Sequence, residues 1–279
     1  MSILATQKVA LKSTNISKNI GARVLNTKEE ILGGDFAEEL QELLAQRGVL
    51  VLPQINFNDQ EQLKFTHLLG TFMPDLAGQQ LYNISLDKEK NSNRDYLKGS
   101  LFWHIDGTMN KEPIGAAVLS SKVLPTWGGN TEFCNTYAAY EALPDATKRE
   151  IEDLRVIHSM WNTLLYHTPE PTRQELEDYM TKGEVELPLV WTHKSGRKSL
   201  VLGNTAARVV GKEPMESALI LHGLREHATS ELFHYTHEWS LGDTVIWDNT
   251  GTMHRAMPYD PDCGRLLVRT KTAGIEPIK

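Results

Sequence analysis

The apolar positions of the chain fall into two textures that divide near residue 100. Before that point the helical period recurs. Phe36, Leu40, Leu43 and Leu44 line one face of a stretch that reads as a helix over 28–47, with charge on the opposite face. Gly48 punctuates it, and the unbroken apolar run Val49-Leu50-Val51-Leu52, stopped by Pro53, reads as a buried strand. A second helix is expected over 59–69, with Asn58 as its N-cap. Beyond residue 100 short strand-like runs dominate: 101–106, 115–124, 130–134, 156–160, 187–192, 199–202, 233–239, 244–247, 252–257 and 266–272. Helical patterns interrupt them at 136–153, 171–181 and 213–227. Many strands with helices confined to insertions predict a mostly β fold with a jelly-roll or barrel core, built as one domain over 1–279. Strict βαβ alternation and any G-x-G-x-x-G are missing, which disfavours a nucleotide-binding α/β fold.

Composition narrows the function classes. Hydrophobic residues make up 40% and charged residues 23%, an ordinary globular balance. The formal net charge is -7 and no Lys/Arg run occurs, so a nucleic-acid partner is not expected. Two cysteines, Cys134 and Cys263, make neither a disulfide scaffold nor a C-x-x-C pair. No window holds ~18 consecutive apolar residues, so no membrane span is expected. The first twenty residues lack the apolar core and cleavage site of a secretory leader, which makes the cytoplasm the expected location.

The chemistry concentrates in Trp103-His104-Ile105-Asp106. On a strand, His104 and Asp106 point to one face while Trp103 and Ile105 pack on the other. An imidazole and a carboxylate on one face are two-thirds of a facial triad for iron(II), and the third ligand is a second His from elsewhere. The plainer alternative is a hydrogen-bonded His–Asp pair on a sheet. The C-terminal region adds Trp247-Asp248-Asn249-Thr250-Gly251-Thr252-Met253-His254 and then Arg265-Leu266-Leu267-Val268-Arg269. Arg265 and Arg269, an even separation apart, share a strand face. Two arginines in an apolar run need a counter-charge, because unpaired buried charge is costly. A bound carboxylate suits the guanidinium fork, and a structural salt bridge is the alternative.

These residues resemble the taurine dioxygenase and phenoxyalkanoate-herbicide dioxygenase family of iron/2-oxoglutarate oxygenases. The resemblance spans about residues 20–275 and is strongest in WHIDGT, LPTWGGNTEF (124–133), THKSGRKSLVLGN (192–204) and the block at 247–270. The family pattern is H-x-D, a long insert, then a distal His with one Arg eleven residues on and another four further; His254, Arg265 and Arg269 match both spacings. The resemblance implies a double-stranded β-helix core. It implies His104, Asp106 and His254 as Fe(II) ligands and 2-oxoglutarate and O2 as co-substrates. It places Arg265, assisted by Thr131, on the distal carboxylate of 2-oxoglutarate, with Trp247 packed beside that co-substrate. It makes Arg269 the reader of a small anionic organic substrate. Ser100, Tyr82, His158, Trp161 and Thr205 are further pocket candidates. Thr205 stands where the taurine enzyme has an aromatic residue, which points to an organic acid bulkier than taurine. The expected reaction is hydroxylation, with fragmentation as one outcome, in a homo-oligomer (dimer or tetramer). The competing readings are a cupin-like metalloenzyme that needs no 2-oxoglutarate, a binding protein that has kept the fold, and a nucleic-acid demethylase of the same chemistry.

Overall fold

The computed structural model describes residues 10–75, 78–92 and 94–279. Residues 1–9, on which part of the leader reading rests, lie outside the described residues. A seven-stranded sheet runs in the order Ser13–Asn15, Ala22–Val24, Val49–Leu52, Thr244–Asp248, Ile114–Val123, Leu266–Ala273, Tyr82–Ile84. Facing it, a smaller sheet holds His234–His237, Thr131–Asn135 and Thr252–Ala256. Two further antiparallel groups, one of them built on Arg155–Ser159 and Glu184–Pro188, extend the smaller side. This is the jelly-roll expected from the strand texture.

The unbroken apolar run at 49–52 has a physical reason: its strand is covered on both faces. Leu50 and Leu52, with Val118 and Ile246 of neighbouring strands, pack against Phe36, Leu40, Leu44 and Phe65 from the outer helices. Val49 and Val51 turn inward with Ala117, Leu119, Trp247 and Leu267. A third core fills the smaller side, where Trp103 and Ile105 join Trp191, Leu200 and Leu202.

Several expected elements change shape. The helix over 28–47 is two helices, Lys28–Gly33 and Ala37–Arg47, because Gly34 caps the first in the left-handed region at φ 83°. The pattern over 136–153 also splits, into Thr136–Glu141 and Asp145–Ile151, at Pro144. Helix Asp59–Leu69 forms as read, with a reciprocal capping box between Asn58 and Glu61. Helix Met160–His167 is an addition to the expected elements: it spans only eight residues, follows directly on a strand, and Ser159 makes no capping bond. The run 101–106 is not a strand: residues 98–101 form a 3-10 turn and only His104 makes a β-bridge, to His254. Among the described residues no helix is long and apolar enough to cross a membrane.

Candidate active site

The two halves of the proposed ligand set meet through the backbone. The His104 N–H donates to the His254 carbonyl at 3.0 Å and the reverse bond measures 2.9 Å. Asp106 follows on a turn rather than a strand. Asn249, almost fully buried, fixes that turn by accepting from the Asp106 N–H at 3.0 Å and donating to its carbonyl at 2.9 Å. Thr108 Oγ1 closes it by donating to the Ile105 carbonyl at 2.8 Å. The convergence of His104 and Asp106 thus rests on this pinned turn as well as on local alternation.

His104 Nε2 lies 3.7 Å from Asp106 Oδ1, and His254 Nε2 lies 3.7 Å from Asp106 Oδ2. The three ligand atoms fall within 4.8 Å of one another, the one such His/Cys/Asp/Glu group among the described residues. His104 Nδ1–H donates to the Phe102 carbonyl at 2.8 Å, which leaves Nε2 with its lone pair. Burial pushes both imidazoles down, so they stay neutral as ligands must. Burial pushes Asp106 up, but Arg269, the two imidazoles and Lys271 together hold it well below the usual carboxylate range. Two neutral imidazoles and one carboxylate suit a divalent first-row metal, Fe(II) included, and leave room for other ligands.

These side chains line a cavity of ≈ 140 Å³ that Trp247, Arg265, Thr131 and Arg269 share with them. Arg265 is 1% exposed. One of its amino groups donates to the Gly129 carbonyl at 2.8 Å, and its ring neighbour is Tyr259, 4.4 Å away. Its Nε and Nη1 find no acceptor among the described residues, and neither does the buried Trp247 Nε1. Burial lowers the Arg265 pKa, as it does for a guanidinium without a carboxylate beside it. Such orphaned buried donors are rare and call for a partner. A carboxylate of 2-oxoglutarate supplies one, so the residues present fit this co-substrate.

Arg269 has the opposite environment. It meets Asp75 through Nε at 3.2 Å and Nη2 at 3.0 Å, and its Nη1 reaches Asp106 at 2.9 Å. Lys271 also approaches Asp75, at 3.1 Å. Asp75 is absent from the cavity wall, so it backs the guanidinium from behind while the Nη1 edge faces the metal side. Burial alone lowers the Arg269 pKa, but Asp106 and Asp75 outweigh it and raise the value.

Of the other pocket candidates, Ser100 and Thr205 line the cavity. Tyr82, His158 and Trp161 do not. Tyr82 lies under the Arg269 guanidinium, 5.4 Å from ring centre to Cζ. His158, 0% exposed, stands behind Thr205 with Nδ1 and Oγ1 2.9 Å apart. Trp161 turns outward to Glu184 at 3.1 Å, because the unforeseen helix presents Met160 and Thr163 to the cavity instead. Sequence reasoning gave no role to Asn249 or Asp75, nor to Asn204 and Tyr96, which line the cavity. Asn249 sits inside the quoted 247–270 block, but nothing local marks a side chain that pins a turn more than a hundred residues away.

Known proteins share this arrangement of chain. A family model described as taurine catabolism dioxygenase TauD, TfdA family matches residues 12–271. The (S)-phenoxypropionate/alpha-ketoglutarate-dioxygenase of Sphingobium herbicidovorans is 33% identical over 270 residues, 93% of each chain. The alpha-ketoglutarate-dependent 2,4-dichlorophenoxyacetate dioxygenase of Cupriavidus pinatubonensis is 33% identical over 264 residues, 87% of this chain and 90% of that one. The crystal structure of AAD-2 in complex with Mn(II) and N-oxalylglycine superposes with a TM-score of 0.83 at 32% identity, covering 97% of this chain and 100% of that one.

Proposed function

This chain belongs to the taurine catabolism dioxygenase (TauD, TfdA) family, and from that premise we propose that it oxidises a small organic carboxylate bulkier than taurine. It is an oxidoreductase dependent on Fe(II), 2-oxoglutarate and O2. That assignment displaces the cupin-like and binding-protein alternatives. The observation that carries the reading is one cavity with a His/Asp/His set beside a buried, carboxylate-free Arg265.

When bound, Fe(II) with 2-oxoglutarate and O2 supplies the oxidant for a substrate C–H bond, with succinate and carbon dioxide as co-products. The protein's part is placement. His104, Asp106 and His254 hold the metal from one side. Arg269 fixes the Asp106 carboxylate through Nη1 and offers the substrate's anionic head the remaining N–H of that edge. Arg265 and Thr131, with Trp247, take the distal carboxylate of 2-oxoglutarate. Leu97, Leu119, Met109 and Met160 make an apolar wall that keeps water from the reacting bond. Thr205 and Ser100 leave space where a larger side chain would fill it, which supports a bulkier acid. Cytoplasmic residence and a dimeric or tetrameric assembly belong to the same reading.

Succinate release tests the substrate class. Fe(II)-loaded protein is given 2-oxoglutarate with phenoxyacetates, 2-phenoxypropionates, alkyl sulfates or taurine in parallel. The aryloxy carboxylates should stimulate succinate formation most. Faster turnover with taurine or with a sulfate ester than with any carboxylate would overturn the proposal.

A further inference from the structure

Thr131 opens strand Thr131–Asn135, is 4% exposed and lines the cavity with Arg265. Its Oγ1 accepts a hydrogen bond from Trp239 Nε1 at 3.0 Å. An indole nitrogen can only donate. The contact therefore takes one of the two lone pairs of the threonine hydroxyl and restricts its O–H proton to the remaining positions. The O–H proton has no acceptor among the described residues, and the cavity is the space it faces.

Trp239 is itself held. The His237 ring meets it edge-on, 4.5 Å between centroids and 88° between planes. His237 lies opposite Thr131 in the strand register, and its Nε2 is 3.2 Å from Asp243 Oδ2. Asp243 is anchored in turn by the Gln54 N–H at 2.8 Å and the Ser240 N–H at 2.9 Å. None of these residues lies within two positions of His104, Asp106 or His254. The line Asp243–His237–Trp239–Thr131 runs from the outer turn to the cavity wall.

We propose that Trp239 is a positioning residue for the co-substrate: by occupying one acceptor position of Thr131, it favours the orientation in which the Thr131 hydroxyl donates to the distal carboxylate of 2-oxoglutarate beside Arg265. This rests on the reading that Arg265 and Thr131 hold that carboxylate. A hydroxyl free to rotate can turn a lone pair towards the anion, which repels it. With one of its two lone pairs held by Trp239, the hydroxyl has fewer orientations that turn a lone pair to the anion, and meeting it with the proton is the stronger charge-assisted arrangement.

The test is anaerobic titration of Fe(II)-loaded protein, following the visible charge-transfer band of the chelate and, separately, tryptophan fluorescence. Two ligands are compared: 2-oxoglutarate, and 2-oxopentanoate, which keeps the keto-acid end and chain length but lacks the distal carboxylate. Trp239→Phe should weaken 2-oxoglutarate binding roughly tenfold, the scale of one charge-assisted hydrogen bond, and leave 2-oxopentanoate binding within about twofold. Thr131→Val should show the same selectivity, and adding Trp239→Phe to it should cost nothing further. Equal weakening of both ligands by Trp239→Phe would mark a merely structural tryptophan and overturn the proposal, as would no effect on either. If Trp239→Phe does not fold, Thr131→Val decides alone, since unchanged 2-oxoglutarate binding there removes the donor on which the inference depends. Arg265→Ala separates the two levels. If it fails to discriminate between the ligands, the placement of the distal carboxylate is wrong, whatever Trp239 does.

Discussion

Arg265 and Arg269 sit four residues apart and meet opposite fates. Arg269 is compensated inside the fold by Asp75 and Asp106, whereas Arg265 has one backbone carbonyl and an aromatic face. Only the second needs a ligand to complete it, so Arg265→Ala should raise the 2-oxoglutarate dissociation constant on the order of 100-fold, about two hydrogen bonds to a charged group. Anaerobic titration of the chelate band measures this. His158 bears on stability. Burial drives its pKa down to about 4. In the unfolded chain it titrates near ~6.5, so between those values only the unfolded state takes up the proton. Stability should therefore be complete above pH ~6.5 and fall by about 3 kcal/mol as the pH drops towards 4. Urea unfolding across that range, with His158→Asn showing a shallower loss than wild type, checks it. Burial pushes His104 and His254 the same way, adding to the acid sensitivity of the metal-free protein. At this scale the sequence showed which residue types were present and how they were spaced. It could not show that Asp75 would face Arg269, because the two lie nearly two hundred positions apart.

The ligand-bearing segments are mostly irregular elements, positioned by close backbone approach. Gly203 is the clearest case. Its φ is 121°, and a Cβ there would lie 3.0 Å from His104 Cα and 3.3 Å from the Trp103 carbonyl. Those are backbone atoms that cannot swing away. Gly203→Ala should cost about 1–3 kcal/mol of folding stability and displace the His104 bridge. Metal titration of the folded fraction should then show weaker Fe(II) or Mn(II) binding. Normal metal affinity would mean that the bridge tolerates the shift. Helix Asp59–Leu69 was legible because its signals are local, a capping box and an apolar stripe. The break at Gly34 and the helix at 160–167 were not. The break needs a left-handed residue at a junction that Phe36 and Leu40 bury, and the short helix buries Thr163 and Leu164 without a side-chain cap to mark its start.

Across the whole molecule, the site exists only where the two sheets face each other. His254 comes from the smaller sheet, Trp247 and Arg269 from the larger, and His104 and Asp106 from the segment between. Binding there joins elements far apart in sequence, so occupancy should stabilise the fold as a unit. With Mn(II) present, 2-oxoglutarate at a hundred times its dissociation constant should add about 2.7 kcal/mol and raise the melting temperature accordingly. Without the metal it should add much less, because on the proposed reading Arg265 and Thr131 alone would hold one end of the molecule. Calorimetric scans with and without chelator test this. An equal rise in both would place 2-oxoglutarate binding outside the metal's reach.

The sequence by itself determined the fold class and, through its resemblance to a known family, pointed to the candidate metal ligands and the reaction family. Alternating and continuous apolar runs dictate which faces are covered, and the spacing of His254, Arg265 and Arg269 is written along one stretch of chain. Only the tertiary structure decided which candidates reach the cavity. Ser100 and Thr205 do, while Tyr82, His158 and Trp161 stand behind it or away from it. It also decided which arginine is left uncompensated and which hydroxyl is left with a free proton. Those outcomes depend on contacts between residues distant in sequence, where burial withdraws water and each polar group must find a partner in whatever the packing brings beside it.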